Sequence, residues 1–267
     1  MVFSESYYQR FSGIARLYGE QALTHFSQSH VCVIGIGGVG SWAAESLARS
    51  GIGHITLIDM DDVCVTNTNR QIHALKQTIG QAKTEIMAER ILQINPECNV
   101  NCIDDFINAE NVSEYLGTKE QPKYHFVIDA IDSVRDKAAV LAYCRRNKLK
   151  LITIGGAGGQ KDPTKIQITD LAKTVQDPLV AKLRERLKNQ YKLTKDSKGK
   201  YGIPCVYSTE QLTYPALNGE VCLNKNQAEG PKKMDCASGF GAITNVTATF
   251  GFIAVSYVLD KLLNVQN

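Results

Sequence analysis

Val31-Cys-Val-Ile-Gly-Ile-Gly-Gly-Val-Gly-Ser41 decides the fold. Its first half is an apolar, β-branched run, and its second half is a Gly-x-Gly-x-x-Gly turn leading into a helix. A buried strand that turns sharply into a helix offers backbone N–H groups and the positive end of the helix to an anion, so the stretch is a phosphate cradle. Gly35 permits the tight turn, Gly37 lets the backbone approach phosphate oxygens and Gly40 allows close packing, with Gly38 and Ser41 completing the set. A dinucleotide and ATP use such a turn equally well, so the residues beyond it must choose between them.

Working outward, His54 to Asp59 is a second buried strand ending in an acid, which closes a βαβ unit. Apolar spacing predicts a helix over 81–94, stopped by Asn95-Pro96, and strands at 99–103, 124–128, 149–154 and 166–169. Upstream, residues 6–26 read as one helix packed outside the sheet. The alternation predicts an α/β fold of Rossmann type: a doubly wound, mostly parallel sheet with helices on both faces and a C-terminal extension on the substrate side. We expect one domain over 1–267, with a helical segment at 1–30, a nucleotide-binding core at 31–159 and the extension at 160–267.

The bulk properties suit a globular protein of 267 residues, 43% hydrophobic, with a net charge of +3. Residues 182–200 alone carry +6 and the remainder is −3, so the basicity is local. Eight cysteines lie scattered without a Cys-x-x-Cys pair or a leading signal peptide, which predicts reduced thiols, no zinc site and a cytoplasmic protein. Residues 237–258 carry no charge and are long enough to cross a bilayer. Asn245 and the interspersed Ser and Thr predict a buried helix instead, and membrane association is the less favoured reading.

Asp59 can accept both hydroxyls of a ribose, which fits NAD and ATP alike. A triphosphate carries more charge than a pyrophosphate and calls for side-chain cations, which Arg70 and Lys83 supply. Asp132, at the carboxyl edge of the sheet, is placed to hold Mg²⁺ on the phosphates. A nicotinamide dehydrogenase would not need these cations, so ATP is the expected nucleotide.

Five ordered motifs, Gly35 to Ser41, Asp59-Met-Asp61, Asn67-Thr-Asn-Arg70-Gln71, Gly80-Gln-Ala-Lys83 and Asp129-Ala-Ile-Asp132, resemble those of the ubiquitin-activating-type adenylating enzymes. The resemblance implies ATP and Mg²⁺ as cofactors, attack of a carboxylate on the α-phosphate, and release of pyrophosphate. It implies Asp59 as the ribose ligand, Asn67, Arg70 and Lys83 as phosphate contacts and Asp132 as the Mg²⁺ ligand, with Gln71 and Asp61 also at the nucleotide, although Asp61 equally suits a turn after the strand. In such enzymes an N-terminal arginine often reaches the partner subunit's site, so Arg10 or Arg16 takes that role and a homodimer is expected.

The Cys-x-x-Cys pairs of the sulfur-carrier activators are missing, and the basic insert is added. Both features, with Ala15 to Gly19, Asp61 to His73, Gly155 to Gly159, Ala181 to Leu187 and Met234 to Gly241, are similar to the branch that dehydrates a threonylcarbamoyl group on adenosine 37 of tRNA. The resemblance implies an adenylated carboxylate that cyclises with net loss of water, and tRNA as partner on Arg184, Arg186, Lys188, Lys195, Lys198 and Lys200. The alternative is adenylation of the C-terminus of a ubiquitin-like sulfur carrier, with a sulfur-relay protein as partner. His73 reads as a packed residue, not a base. Cys205 and Cys236 read as non-catalytic, since an intramolecular closure needs no enzyme thioester. The glycine cluster at 155–159 either lines the substrate side of the nucleotide or is a tight turn.

Overall fold

The computed structural model describes residues 3–216, 219–223 and 240–264. The chain opens with α1 (Glu5–Tyr18) and α2 (Glu20–Gln28), where one helix over 6–26 is expected. Gly19 sits between them at φ 95°, a conformation open to glycine at no steric cost, and it ends α1.

The core elements follow in order: β1 (His30–Ile34), α3 (Gly40–Arg49), β2 (His54–Ile58), α4 (Lys83–Ile94), β3 (Asn99–Ile103), α5 (Val112–Leu116), β4 (Phe126–Asp129), α6 (Val134–Arg146) and β5 (Leu151–Ile154). Then come β6 (Ile166–Asp170), α7 (Pro178–Asn189), β7 (Pro204–Ser208), the short ribbon β8 (Tyr214–Pro215) and β9 (Val221–Cys222), and α8 (Thr244–Leu263). The seven-stranded sheet runs β3-β2-β1-β4-β5-β7-β6 and is parallel except for β6, which pairs antiparallel with β7.

Side chains alternate across this sheet, so Val31 and Val33 face one layer and Cys32 and Ile34 the other. The first layer holds α3, α4 and α8, with Leu47, Met87 and Phe250 at its centre; the second holds α6 and α7, with Leu141, Leu183 and Leu187. Burial on both faces explains why these strands read as unbroken apolar runs. The uncharged stretch resolves, over its described part, into α8, which is long and apolar enough to span a membrane yet lies in the core. It crosses α3 at close range. A Cβ on Gly251 would stand 2.9 Å from the backbone of Val39 and Ala43.

From β1 the chain winds outward through β2 to β3, then returns to β4 on the other side of β1. Such a reversal leaves a crevice at the carboxyl ends of β1 and β4, because the crossovers on either side lead away from it.

Candidate active site

A cleft of about 670 Å³ opens at that crevice. The glycine turn forms its floor, and its four glycines divide the work. A Cβ on Gly40 would stand 1.8 Å from the Gly35 carbonyl oxygen, and one on Gly35, at φ 85°, would stand 2.9 Å from that of Ala130. These two allow the turn to close. Gly37 has nothing nearer than the Gln71 Nε2 at 3.9 Å, and Gly38 faces the Arg70 stem at 3.2 Å, so these two leave the backbone open to a ligand. Gly40 and Ser41 do not line the cleft: both are buried at the start of α3, and the Ser41 Oγ has no hydrogen-bond partner among the described residues. Ser41, expected at the nucleotide, thus lies at the start of α3 beneath the turn.

Ile36, at the apex of the turn, is held from both sides. Its N–H donates to Asp59 Oδ2 at 2.5 Å, and its carbonyl accepts from His73 Nε2 at 2.9 Å. Since a carbonyl only accepts, the proton of His73 lies on Nε2. Burial pushes the imidazole pKa down to about 4, so His73 is neutral near pH 7 and acts as a strut under the turn, in agreement with its reading as a packed residue. Asp59 also accepts from the Asp61 N–H at 2.8 Å. Burial raises its pKa, against the attraction of Lys83.

The cations lie on the same wall. Lys83 begins α4 with its side chain 6% exposed, and its Nζ is 2.7 Å from Asp61 Oδ2. Arg70 donates through Nη1 to the Thr66 carbonyl at 2.8 Å and to Asn69 Oδ1 at 3.0 Å, which fixes the fork and leaves Nε and Nη2 unpartnered among the described residues. Asn67 caps the turn 65–67 by accepting the Cys64 N–H at 2.9 Å, which leaves its Nδ2 free to donate to a ligand. Asn67, Gln71, Asp59, Asp61, Arg70 and Lys83 all line the cleft.

Asp132 lines the opposite wall, exposed and without an ion pair among the described residues. Beneath it is a pair that sequence reasoning missed. Lys137 Nζ lies 2.9 Å from Asp129 Oδ2, with both side chains 0% exposed. Lys137 also donates to the Ile131 carbonyl at 3.0 Å, and Thr153 Oγ1 donates to Asp129 Oδ2 at 2.6 Å. This network ties down the turn that carries Asp132.

The third wall consists of Gly155–Gly158, Gln160, Asp177 and Phe240–Ala242. Asp177 caps α7 by accepting the Val180 N–H at 3.0 Å and also accepts the Gly156 N–H at 2.9 Å; burial raises its pKa. A Cβ on Gly159 would stand 2.6 Å from the Phe240 ring. The glycines at 155–158 line the cleft, and Gly155 and Gly159 leave room for Asp177 and Phe240. Asp177-Pro178 is a helix-start signature that could have been read in advance. Phe240 and Gln160 carry no such signal, because only the return of the chain brings them here.

Other expected residues lie elsewhere. Arg10 and Arg16 sit on α1, exposed and outside this cleft, with Arg16 near Ser12 Oγ at 3.5 Å. In α7, Leu183 and Leu187 point into the core, and Arg184 is drawn inward with them. It donates to the carbonyls of Leu171 and Thr174 and to Thr174 Oγ1. It faces a second groove of about 810 Å³ between α7 and the β8–β9 ribbon, which shares Asp177, Pro178 and Leu212 with the cleft. Arg186 is held by Gln190, Lys195 lies 5.5 Å over the Tyr201 ring, and Lys188 and Lys198 are exposed. Asp196 accepts the N–H groups of Lys198 and Lys200 and so shapes the basic loop. Cys205 is fully buried in β7 with its thiol pKa pushed up, which removes it as a nucleophile; Cys236 lies outside the described residues.

A model of the ThiF family matches residues 8–267. The chain is 66% identical to the tRNA threonylcarbamoyladenosine dehydratase of Escherichia coli (strain K12), over 98% of this chain and 97% of that protein. It is 57% identical to the protein of the same name from Haemophilus influenzae, with the same coverage. Among solved structures, that of the E. coli enzyme in complex with ATP superposes with a TM-score of 0.86 at 60% identity, covering 98% of this chain and 97% of that one.

Proposed function

The chain belongs to the ThiF family, and on that premise we propose that it is an ATP-dependent dehydratase that cyclises N6-threonylcarbamoyladenosine at position 37 of tRNA. The observation that carries this reading is the gathering of Arg70, Lys83 and Asp132 around an open glycine turn, in one cleft whose far wall has room for an acyl partner. A carboxylate oxygen of the threonyl group attacks the α-phosphorus of ATP, and the bond to pyrophosphate breaks. A nucleophile within the same group then attacks the acyl carbon, the bond to AMP breaks, and the net result is loss of water.

The protein's part is electrostatic and positional. Backbone N–H groups of the turn and the N-terminus of α3 cradle phosphate, and Arg70 and Lys83 neutralise charge on the departing pyrophosphate. Asp132, unpartnered among the described residues, is the carboxylate that would hold Mg²⁺ on the phosphates. When bound, the ion would offset charge on the leaving group. The exposed lysines of the basic loop and the groove beside Arg184 suit the backbone of tRNA. Arg10 and Arg16, remote from their own cleft, suit a homodimer in which they serve the partner's site. A cytoplasmic enzyme follows from that substrate.

Incubating the protein with ATP, Mg²⁺ and tRNA bearing the modified nucleoside should yield AMP, pyrophosphate and a nucleoside lighter by one water in equal amounts. Release of ADP instead would overturn the mechanism. Lys83→Ala should lower kcat by roughly 10²–10³-fold, the usual effect of removing one charge-stabilising donor.

A further inference from the structure

We propose that Gln160 is the residue that reads the acyl substrate, accepting a hydrogen bond from the threonylcarbamoyl group; this rests on the function proposed above. Gln160 lines the cleft and is only 5% exposed. Its Nε2 donates to the Gly156 carbonyl at 2.8 Å, and its Oε1 is buried with no partner among the described residues. The amide cannot be turned around, because the oxygen would then face a carbonyl. The residue before it is pinned as well: the Gly159 N–H donates to the Gly241 carbonyl, and the Gly159 carbonyl accepts the Thr213 N–H, both at 2.8 Å.

A buried acceptor left unpaired on the wall of a cleft, as Gln71 Oε1 also is on the nucleotide side, calls for a donor from the ligand, since such a group is otherwise costly. The ribose and phosphates of ATP do not supply it there. Asp59 follows β2 and Gln160 lies beyond β5, on opposite sides of the adjacent β1 and β4. Three strand spacings, about 14 Å, separate the two strand ends. The ribose hydroxyls belong at Asp59, phosphate oxygens only accept, and what meets the β5 side is the group that attacks the α-phosphate. That group carries two kinds of donor, the threonine hydroxyl and the ureido N–H.

The test compares wild type with Gln160→Met, close in shape but without the amide, on tRNA bearing the threonylcarbamoyl group and on tRNA bearing its glycine analogue, which keeps the ureido N–H and lacks the hydroxyl. The variant should lose on the order of 10-fold or more in kcat/KM on the threonine substrate, while its affinity for ATP alone stays at the wild-type value. A loss confined to the threonine substrate assigns the hydroxyl; an equal loss on both assigns the N–H. Equal kcat/KM for variant and wild type on the threonine substrate overturns the proposal, as does a matching loss of ATP affinity. Gln160→Asn, which keeps the amide but withdraws it by one methylene, gives the same comparison should the methionine variant not fold. An inactive wild type would instead remove the proposed function itself.

Discussion

Replacing Lys137 by methionine tests whether the buried pair under the cleft supports the turn above it. Lys137 and Asp129 are both 0% exposed at 2.9 Å, so the substitution leaves a carboxylate in the core with, among the described residues, only the Thr153 hydroxyl and the Ile131 N–H as donors. Breaking such a pair from one side costs about 3–5 kcal/mol, because the remaining charge is uncompensated. For 267 residues the unfolding entropy is on the order of 0.6 kcal/mol per kelvin. Lys137→Met should therefore lower Tm by about 5–9 °C in a calorimetric scan. Adding Asp129→Leu removes the stranded charge and should recover most of the loss. Turnover of ATP should recover less, since the Ile131 carbonyl still lacks its donor and the turn bearing Asp132 stays loose. A fall in Tm under about 2 °C, or a double variant no more stable than the single, would refute the argument.

Three further outcomes are expected. His73 has its pKa lowered from 6.5 to about 4, so below pH 6.5 the unfolded chain takes up a proton that the fold refuses. Stability is then complete above that pH and falls as pH drops toward 4, by about 1.4 kcal/mol per unit; His73→Gln should flatten this slope in denaturant titrations, and an unchanged slope would sink the assignment. Gly40→Ala must push the turn apart and should abolish nucleotide binding along with much of the stability, whereas Gly37→Ala meets nothing within 3.9 Å and should weaken nucleotide binding at nearly unchanged Tm. Calorimetry on both separates the shaping glycine from the exposed one, and equal melting temperatures would contradict the division. Changing Lys195, Lys198 and Lys200 together to glutamine should weaken tRNA binding and reduce its salt dependence, read as the slope of log K against log salt; a slope equal to wild type would place the RNA elsewhere.

The run Val31 to Ser41, the acid Asp59 and the cations Arg70 and Lys83 could be read in advance because their meaning is local. An apolar run, a glycine spacing and a short distance along the chain already determine a strand, a turn and the end of the sheet from which a side chain projects. Boundaries shifted by a residue or two, and Gly19 split a helix, since a single positive φ weighs little against a continuous apolar pattern. What tertiary structure alone decided is which polar groups lose water and what they meet when they do. The buried Lys137–Asp129 pair, Arg184 turned inward from a basic helix, Gln160 with a lone acceptor and Phe240 closing the third wall all depend on segments far apart in the chain packing together. Burial and convergence of that kind are set by the whole fold, so no local pattern of residues records them.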